Sequence, residues 1–146
     1  MRQFKRPFSM TITISDRRDI QLNDIIDLYR ANKWSSADKP NELYNGLTNS
    51  LSLFSAWDNN KLIGIGNAIS DGHLVVYYPH LLVHPDYHGK GIGQMIVEKM
   101  QEKYGHFHMQ MLTVDGKAID FYNKVGFVRA GQTQPMWIYK GYEHYN

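Results

Sequence analysis

Apolar residues recur at two different periods along the chain, and each period predicts a different kind of element. Between residues 20 and 50 they recur every three or four positions, which predicts two amphipathic helices. The first ends near Asn32, and the second, weaker one follows Pro40. Their apolar positions are Leu22, Ile25, Ile26 and Tyr29 in the first helix, and Leu43, Tyr44 and Leu47 in the second.

Three consecutive apolar segments follow and predict strands over residues 51–57, 62–69 and 74–83. Short polar turns separate them, so the three strands form an antiparallel meander. Gly64 and Gly66 lie inside the second segment. Two glycines in a strand indicate either a close approach of another element or a bulge.

From residue 92 the apolar period becomes helical again and predicts a helix ending near Tyr104. A short buried strand is predicted over residues 109–112, a helix over 117–125, and two last strands over 127–128 and 136–139. The element order is therefore strand, two helices, three strands, helix, strand, helix and two strands. This order predicts an α/β (α+β mixed) fold, with a mixed sheet and helices on its faces.

Composition adds the class of protein. The 146 residues fit one domain, 1–146, with residues 1–10 expected as a flexible leader. The hydrophobic fraction of 42% is ordinary for a globular protein. The formal net charge of +2 is more than accounted for by Arg2, Lys5 and Arg6 in the leader, so no nucleic-acid-binding surface is expected.

Two absences from the sequence exclude further classes. No segment reaches the roughly 18 apolar residues of a membrane span, so no membrane partner is expected and the predicted location is cytoplasmic. The chain contains no cysteine. Disulfides, thiolate metal sites and an acyl-cysteine intermediate are therefore excluded.

A glycine loop carries the strongest chemical signal. The third strand leads through His84-Pro85-Asp86-Tyr87 into His88-Gly89-Lys90-Gly91-Ile92-Gly93 and then into a helix. The free N–H groups and the dipole of a helix N-terminus favour a phosphate, and glycines leave room for it to approach the backbone. The loop therefore predicts a phosphate-bearing cofactor. The alternative is a plain glycine turn that caps the helix.

Two other sites compete for the same residues. His80, His84 and His88 recur every four positions, which on a helix would align three imidazoles for zinc. Pro79 and Pro85 argue against a continuous helix there, so no metal is expected. A Rossmann nucleotide site is the stronger rival, because a strand, glycines, a helix and a later acidic residue follow in order. The glycine spacing differs from G-x-G-x-x-G, and the upstream meander supplies no βαβ unit.

Two segments together resemble the GNAT superfamily of N-acetyltransferases. Residues 88–93 are similar to the family pattern Gln/Arg-x-x-Gly-x-Gly/Ala, and residues 118–127, Ala-Ile-Asp-Phe-Tyr-Asn-Lys-Val-Gly-Phe, are similar to the family's late A-x-x-(F/L)-Y-x-x-x-G-F segment. His88 stands where Gln or Arg is usual, and Asp115 where many members carry Asn. The resemblance implies a mostly antiparallel mixed sheet flanked by helices and an enzyme that uses acetyl-coenzyme A.

The resemblance also implies roles for individual residues. Backbone groups of Leu82 and Val83 would hold the pantetheine arm, and one of their N–H groups would stabilise the thioester oxyanion. Tyr122 would be the general acid that protonates the leaving thiolate. The remaining residues expected to bind the cofactor are His88, Gly89, Lys90, Gly91, Ile92, Gly93, Asp115, Ala118 and Phe121.

The general base and the acceptor pocket are less determined. His80 ranks first as base because its pKa is normally nearest neutrality and because it lies close to the expected thioester position. Strand alternation nevertheless puts it on the opposite face of the strand from Tyr77 and Leu81, and a bulge would reverse that assignment. Other candidates are Asp71, His73, Tyr77 and Tyr78, and His80 is also explained as an ordinary core residue. Aromatic side chains that can frame an acceptor amine are Trp34, Tyr77 and Tyr78, with Tyr44, Trp137 and Tyr139 as further members.

The sequence thus predicts an N-acetyltransferase that moves acetyl from acetyl-coenzyme A directly to a primary amine of a small molecule or peptide. Transfer would occur in a ternary complex, without a covalent enzyme. The alternative is a non-catalytic module that binds or senses acyl-coenzyme A. A homodimer through exposed strands is a further expectation.

Overall fold

The computed structural model describes residues 11–143 and shows one six-stranded mixed sheet. The strand order is β1-β2-β3-β4-β6, and β5 pairs with β3 beside β4. Every pair is antiparallel except β4 with β6. The strands are β1 (Ile12–Ser15), β2 (Ser52–Asp58), β3 (Lys61–Ser70), β4 (Val75–Tyr77), β5 (Leu81–Val83) and β6 (Met109–Met111). The expected leader, residues 1–10, lies outside the described residues.

Helices cover both faces of this sheet. They are α1 (Leu22–Ala31), α2 (Pro40–Thr48), α3 (Ile92–Tyr104) and α4 (Ile119–Lys124). The apolar stripes of α1 and α2 pack on one side of the sheet, with Ile25, Tyr29 and Leu47 in its core. The stripe of α3 packs on the other side, through Ile96 and Met100. The two sides are called the α1 face and the α3 face, and the predicted fold class is confirmed.

Two glycines of β3 let α3 approach the sheet closely. A Cβ atom on Gly66 would lie 2.8 Å from Cγ2 of Ile96, and one on Gly64 would lie 3.2 Å from its Cδ1. Both positions face α3, where a larger side chain would push the helix outward. The predicted close approach is therefore confirmed at these two positions.

The predicted third strand is two strands, β4 and β5, separated by Tyr78-Pro79-His80. Pro79 has no N–H to give to a ladder, and the Tyr78 N–H donates to the Met111 carbonyl at 2.9 Å, away from β3. The break also shifts the side-chain alternation. Tyr78 packs on the α3 face and His80 on the α1 face. His80 is thus opposite Leu81, as expected, but on the same face as Tyr77, which corrects the alternation prediction.

The C-terminal part of the chain departs furthest from its prediction. No strand forms at residues 127–128 or 136–139, and the side chains of Val128, Met136 and Ile138 are 84%, 90% and 92% exposed. The strand predicted over 109–112 exists as β6, but Met109 and Met111 are each 42% exposed. Within residues 11–143 these late segments pair with no other strand, so they form no ladder.

Candidate active site

The sheet has a gap between the end of β4 and the start of β5. β4 and β6 lie side by side up to Tyr77 and Met111, whereas β5 pairs only with β3 among the described strands. Asn67 N–H donates to the His80 carbonyl, and His84 N–H donates to the Ile63 carbonyl. Alternation along the ladder then turns the N–H and C=O groups of Leu81 and Val83 to the opposite edge. The result is an unpaired strand edge beside a gap in the sheet.

The register assigns this edge differently from the sequence prediction. Leu82 pairs with Ile65 of β3, and its side chain is 4% exposed in the core of the α1 face. The backbone role predicted for Leu82 therefore does not fit, because its N–H faces β3. The Val83 N–H does face the open edge, and so do the backbone groups of Leu81, which sequence analysis did not single out.

The glycine loop joins this edge to α3. Gly89 and Gly91 have φ angles of 78° and 81°, a left-handed conformation that favours glycine. Gly91 is the N-cap of α3, and the first helical hydrogen bond runs from Met95 N–H to its carbonyl at 3.1 Å. The amides of Ile92, Gly93 and Gln94 precede that bond. Lys90 is exposed at the tip of the loop. The arrangement is a helix N-terminus of the kind that binds phosphate groups.

His88 fastens the loop to β5. Its Nε2 lies 2.8 Å from the carbonyl oxygen of Val83. A carbonyl only accepts, so Nε2 carries the proton and donates. The Val83 carbonyl is thereby occupied, which leaves the Val83 N–H and both backbone groups of Leu81 on the open edge.

The late motif packs against the start of α3. Oδ1 of Asp115 accepts the Lys117 N–H at 3.1 Å and begins the short 3₁₀ turn Gly116–Ala118. In α4, Phe121 lies where a Cβ on Gly93 would come within 3.2 Å of its ring. These contacts bring Asp115, Ala118 and Phe121 to the same end of the molecule as the glycine loop.

Tyr122 lies beside a small apolar cavity in the gap. Its ring makes edge contacts with Phe121 and Phe127 at centroid distances of 5.0 and 5.9 Å. Burial raises the pKa of Tyr122 to about 12, so the phenol keeps its proton at neutral pH. The cavity, of about 20 Å³, has room for one group the size of water or methyl. Its lining includes Leu81, Ile96, Val97, Leu112 and Tyr122.

His80 stands at the break, on the α1 face. Its Nδ1 lies 2.7 Å from the hydroxyl of Tyr29, and the ring of Trp34 meets it edge-on at 5.1 Å. Burial lowers the pKa of His80 to about 4. The imidazole is therefore neutral at physiological pH.

The backbone of His80 is held by the side chain of Asn67, which sequence reasoning missed. Asn67 Oδ1 accepts the His80 N–H at 3.0 Å, while its own main-chain N–H donates to the His80 carbonyl at 3.1 Å. Asn67 Nδ2 donates to Ser50 Oγ at 3.0 Å, and Ser50 Oγ donates to the Gly46 carbonyl at 2.7 Å. A buried side-chain amide thus replaces the ladder partner that β3 does not supply at the break.

The other residues predicted for the base or the acceptor pocket lie on different parts of the sheet. Tyr77 is 40% exposed on the α1 face. Tyr78 faces α3, where its hydroxyl donates to Gln110 Oε1 at 2.7 Å, so it does not join Trp34 and His80. Asp71 accepts N–H groups of His73 and Leu74 in the turn after β3, which explains its lowered pKa as a turn carboxylate.

Two late aromatic residues do reach the α1 face. Trp137 and Tyr139 stack in parallel at 4.4 Å, and the Tyr139 hydroxyl lies 3.3 Å from Ser35 Oγ. Ser35 follows Trp34 in the connection between α1 and α2. These rings therefore border the same connection that contacts His80.

The described residues also allow a search for a metal site, for a membrane-spanning helix and for the parallel sheet of a Rossmann fold. Across residues 11–143, no three side chains of the metal-ligating types come together, and no helix is long and apolar enough to cross a membrane. Of the strand pairs in this part of the chain, only β4 with β6 is parallel. The sheet is thus not the doubly wound parallel sheet of a Rossmann domain.

Comparison with known proteins identifies the family. The sequence model of the acetyltransferase (GNAT) domain matches residues 49–129, which include the open edge, the glycine loop and Tyr122. The chain belongs to the GNAT acetyltransferase family. This match also contains Asp115, Ala118 and Phe121, which lie at the same end of the molecule as the glycine loop.

Curated relatives of this GNAT domain are similar over part of its length. An uncharacterised N-acetyltransferase from Gracilaria tenuistipitata is 31% identical over 80 residues, 53% of this chain and 44% of the relative. The chloroplastic GCN5-related N-acetyltransferase 2 of Arabidopsis thaliana is 36% identical over 72 residues, 46% of this chain and 27% of the relative. The matched region spans less than half the length of these relatives.

Solved structures match over most of the chain. A GNAT family acetyltransferase from Streptococcus pneumoniae superposes with a TM-score of 0.76 at 26% identity, covering 89% of this chain and 99% of that one. Glucosamine-6-phosphate N-acetyltransferase from Arabidopsis thaliana gives a TM-score of 0.66 at 14% identity, with 89% and 99% covered. The second likeness supports the fold alone.

Proposed function

We propose that this GNAT domain transfers an acetyl group from acetyl-coenzyme A directly to a primary amine, with both substrates bound at once. The observation that carries the proposal is the unpaired edge of β5. It runs from the glycine loop at one end to His80 at the other, with Tyr122 beside it. A cofactor and an acceptor can therefore approach the same gap from opposite faces of the sheet.

The cofactor half of the site is built from backbone. The amides at the start of α3 would bind the pyrophosphate, and the edge of Leu81 and Val83 would pair with the pantetheine arm as an added strand. The Leu81 N–H, next to the break, would stabilise negative charge on the thioester oxygen. The small apolar cavity beside Tyr122 has room for the acetyl methyl group.

The reaction forms a C–N bond and breaks the C–S bond of the thioester. The neutral amine attacks the carbonyl carbon, and coenzyme A leaves as a thiolate. Tyr122, protonated because burial raises its pKa to about 12, donates its proton to that thiolate. The nitrogen loses a proton as the amide forms, and through solvent this proton restores the phenol of Tyr122. The acceptor would bind on the α1 face, near Trp34, Tyr77 and His80, as a small-molecule or peptide amine.

The first experiment is calorimetric titration with acetyl-coenzyme A and, in parallel, NAD. Micromolar binding of acetyl-coenzyme A alone is expected, followed by thiol release when a panel of primary amines is added. Absence of acetyl-coenzyme A binding, or a preference for NAD, would contradict the proposal.

A non-catalytic acyl-coenzyme A module is the second candidate. One observation favours it: within residues 11–143, no carboxylate is hydrogen-bonded to His80, so the gap lacks an acidic base there. Such a module would bind acetyl-coenzyme A in the titration but release no thiol with any amine of the panel. The retained phenol of Tyr122 at the gap favours the enzyme.

A homodimer is proposed from the exposed late segments. Val128, Met136 and Ile138 present strand-like apolar residues to solvent, and β6 has a free outer edge among the described strands. A second copy would bury them. Sedimentation equilibrium tests this: a dimer is expected, and Ile138→Lys should make the protein monomeric.

A further inference from the structure

The hydrogen bond between Tyr29 and His80 can be formed in two ways. The phenolic O–H can donate to Nδ1, which leaves the imidazole proton on Nε2. Alternatively, a proton on Nδ1 can be donated to the phenolic oxygen. The two arrangements give His80 opposite properties at Nε2: a donor in the first and a proton acceptor in the second.

The surroundings of Tyr29 favour the first arrangement. Its hydroxyl is enclosed in the core of the α1 face, and Nδ1 of His80 is its only hydrogen-bond partner within residues 11–143. In the second arrangement the phenolic proton would have no acceptor, which disfavours it by roughly tenfold in population. Burial also raises the pKa of Tyr29 and lowers that of His80, so the phenol keeps its proton and the imidazole stays neutral.

The other nitrogen of His80 reaches open space. Among fully enclosed side-chain polar atoms of the described chain, only Ser36 Oγ lacks a hydrogen-bond partner. Nε2 of His80 has no partner among these residues, so it is not fully enclosed. Nε2 therefore keeps some exposed surface through which a bound molecule can reach it.

We propose that Tyr29 is a positioning residue that fixes His80 with its proton on Nε2, so that His80 donates a hydrogen bond to an oxygen of the acceptor next to its amine. The acceptor class is an amine with a neighbouring hydroxyl, carbonyl or carboxylate oxygen. The amine loses its proton to solvent before it attacks, and His80 takes none. This assignment of the acceptor rests on the proposed function, whereas the protonated nitrogen is a property of the free protein.

The first test is a nitrogen–proton correlation spectrum of the histidine side chains in the free protein. His80 is expected with Nε2 protonated, and Tyr29→Phe should convert it to a mixture of the two forms. His88, whose Nε2 donates to Val83, is the internal control and should not change. A His80 protonated at Nδ1 in the wild type would overturn the proposal.

The second test compares His80→Gln with His80→Ala. A glutamine side chain offers an N–H in place of Nε2–H but does not accept a proton at neutral pH. We expect KM for the amine to rise about 30-fold in His80→Ala and only about threefold in His80→Gln, with KM for acetyl-coenzyme A unchanged in both. Equal losses of 100-fold or more in kcat for the two variants would identify a base and reject the donor.

The two tests separate this inference from the proposed function. If acetyl-coenzyme A does not bind at all, the proposed function is wrong, and the spectrum still decides how Tyr29 orients His80. If binding and turnover are normal but His80 is protonated at Nδ1, only the inference fails.

Discussion

The two sides of the gap in the sheet are built by different means. On the α3 face the groups that face the gap are mostly main-chain ones, those of Leu81, Val83 and the first turn of α3. On the α1 face the central group is one side chain, His80, whose ring is held by Tyr29 and whose backbone is held by Asn67. On the first side the free groups belong to the main chain, and on the second the free group is Nε2 of one side chain whose other polar atoms are held by buried partners.

This difference matches two different tasks. Main-chain groups offer the same pattern whatever the side chains are, which suits one constant cofactor. A side chain fixed by buried partners gives a donor of defined position, which suits discrimination among acceptors. We therefore expect substitutions on the two sides to change different measured constants.

The largest effect is expected from Tyr122→Phe, which removes the phenolic proton from the gap and leaves the ring. Loss of a general acid lowers rates by typically 10²–10⁴-fold, so we expect kcat to fall at least 100-fold with acetyl-coenzyme A affinity unchanged. Steady-state kinetics and calorimetry measure the two quantities. The control is Tyr87→Phe, which removes a hydroxyl bonded to Asp58 instead. Equal turnover of Tyr122→Phe and wild type across pH would remove the acid role.

The next effect concerns stability and tests the α1 face. Burial lowers the pKa of His80 to about 4 in the folded protein, whereas the ordinary histidine value of 6.5 applies to the unfolded chain. The unfolded chain therefore binds the proton more tightly. The contribution of neutral His80 to the free energy of unfolding is therefore complete above pH 6.5. It is lost as pH falls toward 4, by about 3 kcal/mol at most. Urea unfolding at pH 7.5 and pH 5 measures this change. His80→Gln should lose less stability over that interval than the wild type, and an equal loss would contradict the assignment.

Asn67→Ala tests the hydrogen bonds that hold the break. It leaves the His80 N–H without its acceptor and Ser50 Oγ without a donor, which should cost about 2 kcal/mol in the free energy of unfolding. Urea denaturation measures it. Asn49→Ala removes a comparable side-chain amide bond at an exposed helix end and should cost about 0.5 kcal/mol. A cost no larger than that of the control would show that Asn67 is not holding the break.

The smallest effect is expected on the α3 face. Gly91 has a φ of 81°, so an alanine there is strained by about 1 kcal/mol, and its methyl group would lie in the loop. We expect acetyl-coenzyme A affinity to fall about tenfold in Gly91→Ala, measured by calorimetry. Gly46→Ala is the matched control, because nothing lies within 4 Å of its Cβ position in α2. Unchanged affinity in Gly91→Ala would exclude the loop from cofactor binding.

Local patterns were sufficient for much of the α3 face. The helices, the glycines that face α3 and the loop at its N-terminus depend on neighbouring residues in the chain, and the sequence predicted them. The sequence did not predict which residues of β5 direct their backbone groups to the gap, because a shift of one residue reverses that assignment. Leu81 and Leu82 are both apolar, and only the register with Ile65 decides which N–H faces the gap.

The α1 face was harder to predict because its contacts are distant in sequence. Tyr29 and His80 are 51 residues apart, and Tyr29 lies on an apolar helix stripe where any core tyrosine would look the same. Asn67 did leave a signal, since it is a lone amide in the apolar run 62–69. The split of the predicted third strand depends on the carbonyl of Met111, which accepts the hydrogen bond from the Tyr78 N–H. Met111 lies in a strand that comes later in the chain.

The break between β4 and β5 also has a kinetic consequence. Because Asn67 and Pro79 keep the two strands apart in the free protein, the edge of β5 is exposed before any ligand arrives. A pantetheine arm would add to it without first separating two paired strands. Association should then follow a single exponential whose rate rises linearly with ligand concentration, limited by encounter and not by a slow opening of the protein.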